Sequence, residues 1–154
     1  MASDRGIRQI ISGGQTGVDR GALDAAIALG IPHGGCCPRG RRAEDGRVPA
    51  QYRLAECDSE RYAVRTELNL LSADATLILS RGPLRGGTRL TARLARRHGK
   101  PCQVVDLEAP PPAESILEWL AANRVSTLNV AGPRESQCPG VQDAARTYLL
   151  ALFS

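Results

Sequence analysis

Apolar residues fall into two alternating kinds of segment along this chain. Short runs at residues 7–12, 31–36, 75–79, 101–107 and 126–130 carry aliphatic side chains with little period-two alternation, the pattern of strands buried on both faces. Between them lie segments whose apolar positions recur three and four apart. Over 18–29 the stripe is Ala22, Leu23, Ala26, Ile27 and Leu29, stopped by Gly30; over 59–71 it is Tyr62, Ala63, Thr66 and Leu70. A third helix opens with Thr88 as N-cap and runs to about His98, and a fourth follows Pro110–Pro112 with Ile116, Leu117 and Leu120. The last begins at Val141 and repeats Ala144, Ala145, Tyr148, Leu149 and Leu152. Strand and helix in alternation predict the α/β class: a Rossmann-like, doubly wound, mainly parallel sheet of about five strands with helices on both faces. Crossovers of one hand place every strand's carboxyl end on the same edge, so the loops starting at Gly13, Gly34, Gly82 and Gly132 should border one crevice.

Composition narrows this picture. With 154 residues, 42% apolar and 23% charged, the chain fits a single domain over 1–154 with one sizeable core. Aromatics are only 3%, too few for the stacking platforms of a general RNA or single-strand binder, so no nucleic-acid partner is expected. The absence of an 18-residue apolar run and of a basic-then-apolar N-terminus predicts a cytoplasmic protein with no membrane partner. Five cysteines, an odd number without C-x-x-C spacing, argue against a disulfide framework and a structural zinc site.

The candidate chemistry centres on Ile10-Ile-Ser-Gly13-Gly14-Gln15-Thr16-Gly17-Val-Asp19-Arg20, a strand that enters a helix through a glycine turn. Such a turn lets backbone approach a ligand closely while the helix presents unpaired N–H groups and the positive end of its dipole. Gly86-Gly87-Thr88 is a second glycine turn at a helix start. Asp19, in the first helical turn, either caps amides or contacts ligand. Net charge is +4 and Lys100 is the only lysine, so arginines at 39, 41, 42, 81, 85 and 134 supply the cationic forks that suit phosphate. The turns converge on an anionic, phosphate-bearing ligand. The dinucleotide fingerprint G-x-G-x-x-G is absent, because the spacing here is Gly13-Gly14-x-x-Gly17, and no Gly-Lys-Ser/Thr completes a Walker loop. Ser12, Thr16, Cys36 and Cys37 are the possible nucleophiles. Only His33 and His98 offer an imidazole base; His98 ends an arginine-rich helix as a solvated cap near the dipole's negative end, and no carboxylate partner can be placed beside His33. Cys36 and Cys37 are adjacent, so at most one thiol faces a pocket.

Read together, Ile11-Ser-Gly-Gly-Gln-Thr-Gly-Val-Asp-Arg20, Gly34-Gly-x-Cys-Pro-x-Gly40, Arg42-Ala-Glu-Asp-Gly46, Thr76-Leu-Ile-Leu79, Gly86-Gly-Thr88, Lys100-Pro101 and Leu128-Asn-Val-Ala-Gly-Pro-Arg-Glu-Ser136 resemble the molybdenum carrier family. The likeness runs over almost the whole chain in the same order, with Cys36 standing where the family usually has tryptophan. That family is similar in turn to Rossmann-like nucleotide and sugar-nucleotide binders that include lysine-decarboxylase-like phosphoribohydrolases. The resemblance implies reversible binding and storage of molybdenum cofactor, a pterin phosphate, by a homo-oligomer (dimer or tetramer) that delivers it to molybdenum enzymes. On this reading the binding set is Gly13, Gly14, Gln15, Thr16, Gly17, Asp19, Arg20, Arg39, Gly86, Gly87, Thr88, Gly132, Arg134, Glu135 and Ser136, with no catalytic residue required. The competing reading is an enzyme acting on a nucleotide or ribosyl phosphate, with Asp19, Glu44 or Glu135 as acid or base. Against it, Gly86-Gly87-Thr88 lacks the glutamate that follows in the hydrolases; Thr91 and Ala92 stand nearby instead. An oligomeric anion-binding module is a third possibility.

Overall fold

The computed structural model describes residues 6–154. Its elements in chain order are β1 (Gln9–Ile11), α1 (Val18–Leu29), β2 (His33–Gly34), β3 (Cys36–Cys37), a 3-10 turn at Arg39–Arg41, β4 (Arg42–Ala43), β5 (Gly46–Arg47) and β6 (Ala55–Glu56). They continue with α2 (Tyr62–Ser72), β7 (Ala75–Ser80), α3 (Gly86–His98), β8 (Cys102–Asp106), α4 (Ala113–Ala122), β9 (Thr127–Ala131) and α5 (Val141–Phe153). Five strands form one sheet in the order β2-β1-β9-β7-β8, with every pairing parallel. This is the expected α/β, Rossmann-like arrangement.

The strand order decides where each helix lies. Steps from β1 to β2 and from β8 to β9 run one way along the sheet, while those from β2 to β7 and β7 to β8 run the other. Right-handed crossovers therefore send α1 and α4 to one face and α2 and α3 to the opposite face. Side-chain packing agrees. Ala22 and Ala26 of α1, Ile116 and Leu120 of α4, and Ala145, Leu149 and Phe153 of α5 share one cluster with Ile10, Leu77, Leu79, Leu128 and Val130 of the sheet. The α2–α3 face is thinner in hydrocarbon: Leu70, Leu94 and Ala95 make a small cluster, and buried Thr66, Asn69, Thr76, Thr91 and Asn129 fill much of the rest. Asn129 Nδ2 donates to Thr76 Oγ1 at 3.1 Å across neighbouring strands. One face carries the aliphatic core, and the other is a polar layer beside the site.

Four local expectations change. The run at 31–36 does not continue as one strand, because Gly35 has φ +120° and a Cβ there would stand 2.2 Å from the Ser12 carbonyl oxygen. The chain breaks there into β2, in the main sheet, and β3, which pairs in parallel with β6. The aperiodic stretch after Cys37 is ordered into that pair and the β4–β5 hairpin, whose tip is Glu44-Asp45. Thr88 is not an N-cap: α3 starts two residues earlier, with Arg85 in the cap position and no side-chain cap. Ile27 lies half exposed although its spacing places it on the stripe of α1, where Ala22, Leu23, Ala25 and Ala26 are the buried residues.

Helix α5 follows β9 onto one face and α3 follows β7 onto the other, so the chain diverges between these adjacent strands. In open α/β sheets a crevice forms at such a switch point, outside the carboxyl ends of the strands.

Candidate functional site

The first glycine turn is braced by the chain itself. The Gln15 amide donates to Asp19 Oδ2 at 3.1 Å, and the Thr16 amide to Gln15 Oε1 at 3.1 Å. The Val18 amide reaches the Pro133 carbonyl at 3.2 Å. From above, the β4–β5 hairpin closes on the turn: Glu44 accepts from the Thr16 hydroxyl, from Ser136 N at 3.2 Å and from Ser136 Oγ at 2.5 Å, and Arg134 stands 4.0 Å away. Burial pushes the Glu44 carboxyl up, but the bonds from Ser136 and Thr16, with the Arg134 charge, outweigh it and hold the group below the ordinary range. Arg20, 6% exposed, grips Asp45 through two bonds at 2.6 and 2.8 Å and donates Nε to the Gly14 carbonyl. Gly17, at φ +83°, has Pro133 O only 2.4 Å from where a Cβ would lie, and Gly132 has Leu79 O at 2.2 Å. These glycines let chain approach chain.

At the start of α3 the situation is reversed. No side chain caps the helix, its first turn holds no acidic residue, and a Cβ on Gly87 would meet nothing within 4 Å. The first amides of a helix lack intrahelical partners and carry the positive end of the dipole. Through Arg85 and Thr88 this helix start borders a cleft of about 540 Å³ lined also by Ser80, Arg81, Gly82, Pro83, Glu108, Pro133, Gln137 and Cys138, while Gly87 lines a smaller pocket beside it. The cleft is the switch-point crevice between β7 and β9, within the usual size range of small-molecule sites, roughly 300–1,000 Å³. Arg81 and Arg85 outnumber Glu108 in its wall, so the field there favours an anion.

A smaller pocket of about 70 Å³ lies under the first turn and shares Thr88 and Gln137 with the larger cleft. Its wall includes Asp19, which is 4% exposed and meets Arg65 Nη1 at 3.2 Å. Burial outweighs the Arg65 charge and holds the Asp19 carboxyl above its ordinary range. Outside Asp19, the Tyr62 ring carries the guanidinium carbons of Arg42, Arg134 and Arg65 at 4.8, 5.4 and 5.7 Å from its centroid. Three cations on one aromatic ring form a positive rim.

Of the expected binding residues, the structure gathers Gly13, Gln15, Asp19, Gly87, Thr88, Gly132 and Arg134 around the inner pockets, with Thr88 also facing the outer cleft. Arg39 turns elsewhere, its guanidinium on the Asp58 carbonyl at 3.2 Å and 3.9 Å from Glu60. Arg41 is drawn to the carbonyls of Val48, Pro49 and Tyr52, which organises its loop. Glu135 accepts the amides of Gly140 and Gln142 and so caps α5. Sequence reading missed Arg65, Tyr62 as a cation platform, Gln137 and Glu108. Arg65 and Tyr62 sit three apart on one helix, and that spacing was their only signal.

The remaining candidates resolve into local roles. His33 Nε2 accepts the Arg53 amide at 3.1 Å, and burial followed by the Arg53 charge lowers its pKa. His98 pairs with Glu67 at 2.9 Å. Cys37 packs with Leu23, Val48 and Tyr52, and burial pushes the Cys36 and Cys37 thiols up, away from the thiolate that a soft metal needs. Among the described residues no group of three or more His, Cys, Asp or Glu could hold a metal ion, and no helix is long and apolar enough to cross a membrane.

Comparison with known proteins gives two findings. Residues 10–153 match the model of cpYpsA, the circularly permutated YpsA SLOG family. Among solved structures, the crystal structure of a "Putative molybdenum carrier protein" from Syntrophus aciditrophicus SB is similar with a TM-score of 0.92 and 46% sequence identity, covering 96% of this chain and 95% of that one. No curated protein matches.

Proposed function

The chain belongs to the circularly permutated YpsA SLOG family, and we propose that within it this protein holds molybdenum cofactor as cargo, with the cofactor's phosphate at the N-terminus of α3. The observation that carries the reading is the uncapped, acid-free start of α3 bordering a 540 Å³ cleft beside Arg81 and Arg85. Support comes from the carrier name borne by a protein 46% identical over nearly the whole chain. In this reading the Gly86 and Gly87 amides and the Thr88 hydroxyl receive the phosphate, the Thr88 amide being bonded to the Arg85 carbonyl, Arg85 and Arg134 neutralise it, and the cleft takes the organic body. The turn at Gly13–Gly17 with Asp19, Arg20 and Ser136 is a wall that holds the crevice open, because the Gln15, Thr16 and Val18 amides already have partners.

The engagement of Asp19 by Arg65, Glu44 by Thr16 and Ser136, and Glu135 by the α5 amides favours carriage over hydrolysis, which needs one of them free as acid or base. Cytoplasmic residence and delivery to molybdenum enzymes by a dimer or tetramer belong to the same proposal. Mass spectrometry and metal analysis of the protein as isolated test it. A bound pterin with molybdenum is the expected result. A bound nucleotide, or turnover of nucleoside monophosphates by the clean protein, would overturn it in favour of an enzyme.

A further inference from the structure

The outer edge of β8 and the helix beside it form an open surface away from the crevice walls built by the first turn. β8 stands at the end of the sheet and pairs only with β7. Thr76 N donates to the Pro101 carbonyl at 2.9 Å, and the Leu107 amide to the Ser80 carbonyl at 2.8 Å. Alternate residues of a parallel strand bond to the same neighbour, so the N–H and C=O of Cys102 and Val104 aim away from β7. Side chains alternate as well. Val105 enters the main core, Cys102 packs on the face that carries α2 and α3, and Val104, on the same face as Cys102, is 44% exposed. A bare backbone edge beside an exposed valine is a template for another strand.

Helix α3 packs over β7 and β8, with α2 inside it toward β9. Leu90, Leu94 and His98 are its stripe toward α2, where they meet Leu70 and Glu67. Ala92 and Arg96 lie roughly 160° round the helix from that stripe and so face the open side, along the edge of β8. There Arg89, Arg93, Arg96 and Arg97, all exposed, enclose with Ala92 a groove of about 440 Å³. None of the four has an ion-pair partner among the described residues. Arginines three and four apart on one helix repel, so the row weakens α3 until carboxylates enter the groove. A phosphate polymer would use the arginines and ignore the strand edge; a peptide uses both. A second copy of this chain is opposed by charge. Pairing β8 with its own copy about a two-fold axis normal to the sheet would set the two arginine rows side by side on one face.

We propose that β8 and the arginine groove receive an extended acidic segment of a partner protein, which adds to the five-stranded sheet as a further strand with alternate carboxylates turned toward α3. The β8 backbone supplies affinity, and the arginines select acidic side chains at every second position. The row from Arg89 to Arg97 is about 12 Å long, room for two or three carboxylates at the roughly 7 Å spacing of alternate strand residues. Two residues beyond β8, Glu108 stands in the wall of the outer cleft, so the partner docks beside the crevice mouth. The surface does not depend on which ligand the crevice holds.

The test is fluorescence anisotropy with a short labelled peptide of alternating glutamate and threonine. It is run beside a copy with lysine in place of glutamate and two copies N-methylated, one at the glutamates and one at the threonines. The glutamate peptide should bind saturably and the lysine copy should not. One of the two methylated copies, the one blocked on its pairing edge, should bind about tenfold or more weakly. Reversing Arg93→Glu and Arg96→Glu together should weaken the glutamate peptide by about tenfold or more, with the melting temperature held. Val104→Pro deletes an outward N–H without touching the ladder to β7 and should weaken it by about threefold or more. Should that variant not fold, the methylated peptides decide the same point. No binding by the glutamate peptide, or equal binding by it and both methylated copies, overturns the proposal. Binding of inorganic polyphosphate in place of the peptide assigns the row to a phosphate polymer and also overturns it. So does a dimer in sedimentation equilibrium that Val104→Pro dissolves, which gives the edge to a second copy.

Discussion

Gly87→Asp separates the stability of α3 from its capacity to receive an anion. Gly87 lies in the first turn, its φ is unexceptional, and the space around an added Cβ is open, so the substitution fits without strain. Replacing glycine in a helix and placing a carboxylate at the positive end of the dipole are each favourable, the charge alone by about 0.3–1 kcal/mol. For a domain of this length that raises the melting temperature by roughly 1–4 °C. A phosphate at the same helix end would meet the new charge at short range. Two unit charges about 4 Å apart interact by about 4 kcal/mol at an effective dielectric near 20, and solvent reduces that to about half. About 2 kcal/mol is a loss of roughly thirtyfold in affinity. Gly87→Ala, which adds the methyl without the charge, should bind like wild type. The assay pairs thermal melts with titration of molybdenum cofactor into each variant. A higher melting temperature with undiminished affinity in Gly87→Asp would remove the phosphate from this helix end and refute the reasoning.

Two further predictions concern the frame that holds the site. Gly132→Ala should cost about 3 kcal/mol by denaturant unfolding, since a Cβ would fall 2.2 Å from Leu79 O and 2.5 Å from Val18 Cγ2, inside a packed interior; a loss below about 0.5 kcal/mol would mean that β9 and α1 shift apart freely. Asp74 accepts the amides of Thr127 and Ser126, which hold its carboxyl below the ordinary 3.8, so it stabilises the fold above that pH and the contribution disappears as pH falls through 3.8 toward the folded value. Asp74→Asn should therefore cost about 0.5–1 kcal/mol at neutral pH, kept small by the group's exposure, and the gap from wild type should close in acid; an equal gap at about pH 2 would show that charge is not involved.

What the chain disclosed in advance follows from how local each cause is. Strand β7 was legible because Ala75–Ser80 is buried at every position, and α5 because Ala145, Leu149 and Leu152 repeat at helical spacing. The glycine motif at 13–17 marked the right edge of the sheet but not its own use. Two of its amides are taken locally, by Asp19 and the Gln15 side chain, and its Thr16 hydroxyl by groups distant in sequence: it donates to Glu44, 28 residues away, and accepts from Glu135 N, 119 away. The α3 turn was also visible, but its boundary slipped by two residues because Gly86, at φ +49°, enters the helix and leaves Thr88 inside the first turn. Arg65 was hidden because nothing around it reveals that its guanidinium lies over Gly13, where a Cβ would stand against Arg65 Nη1. Arg39 shows the converse, an arginine in a promising motif whose partners, Asp58 and Glu60, follow it by about twenty residues.

The β4–β5 hairpin has a thermodynamic consequence for anything that enters the crevice. Through Glu44 and Asp45 it ties the turn after β1, the start of α1 and the loop after β9 into one unit. Those walls are fixed before a guest arrives, so association carries little loop-ordering entropy. The same ties cap the gain. The hydroxyls of Thr16 and Ser136 already serve a carboxylate, and an incoming anion can claim them only by evicting a charge that was there first. Such a pocket is quick to accept and ready to surrender its guest, a balance set by an acidic hairpin tip that never touches the cleft.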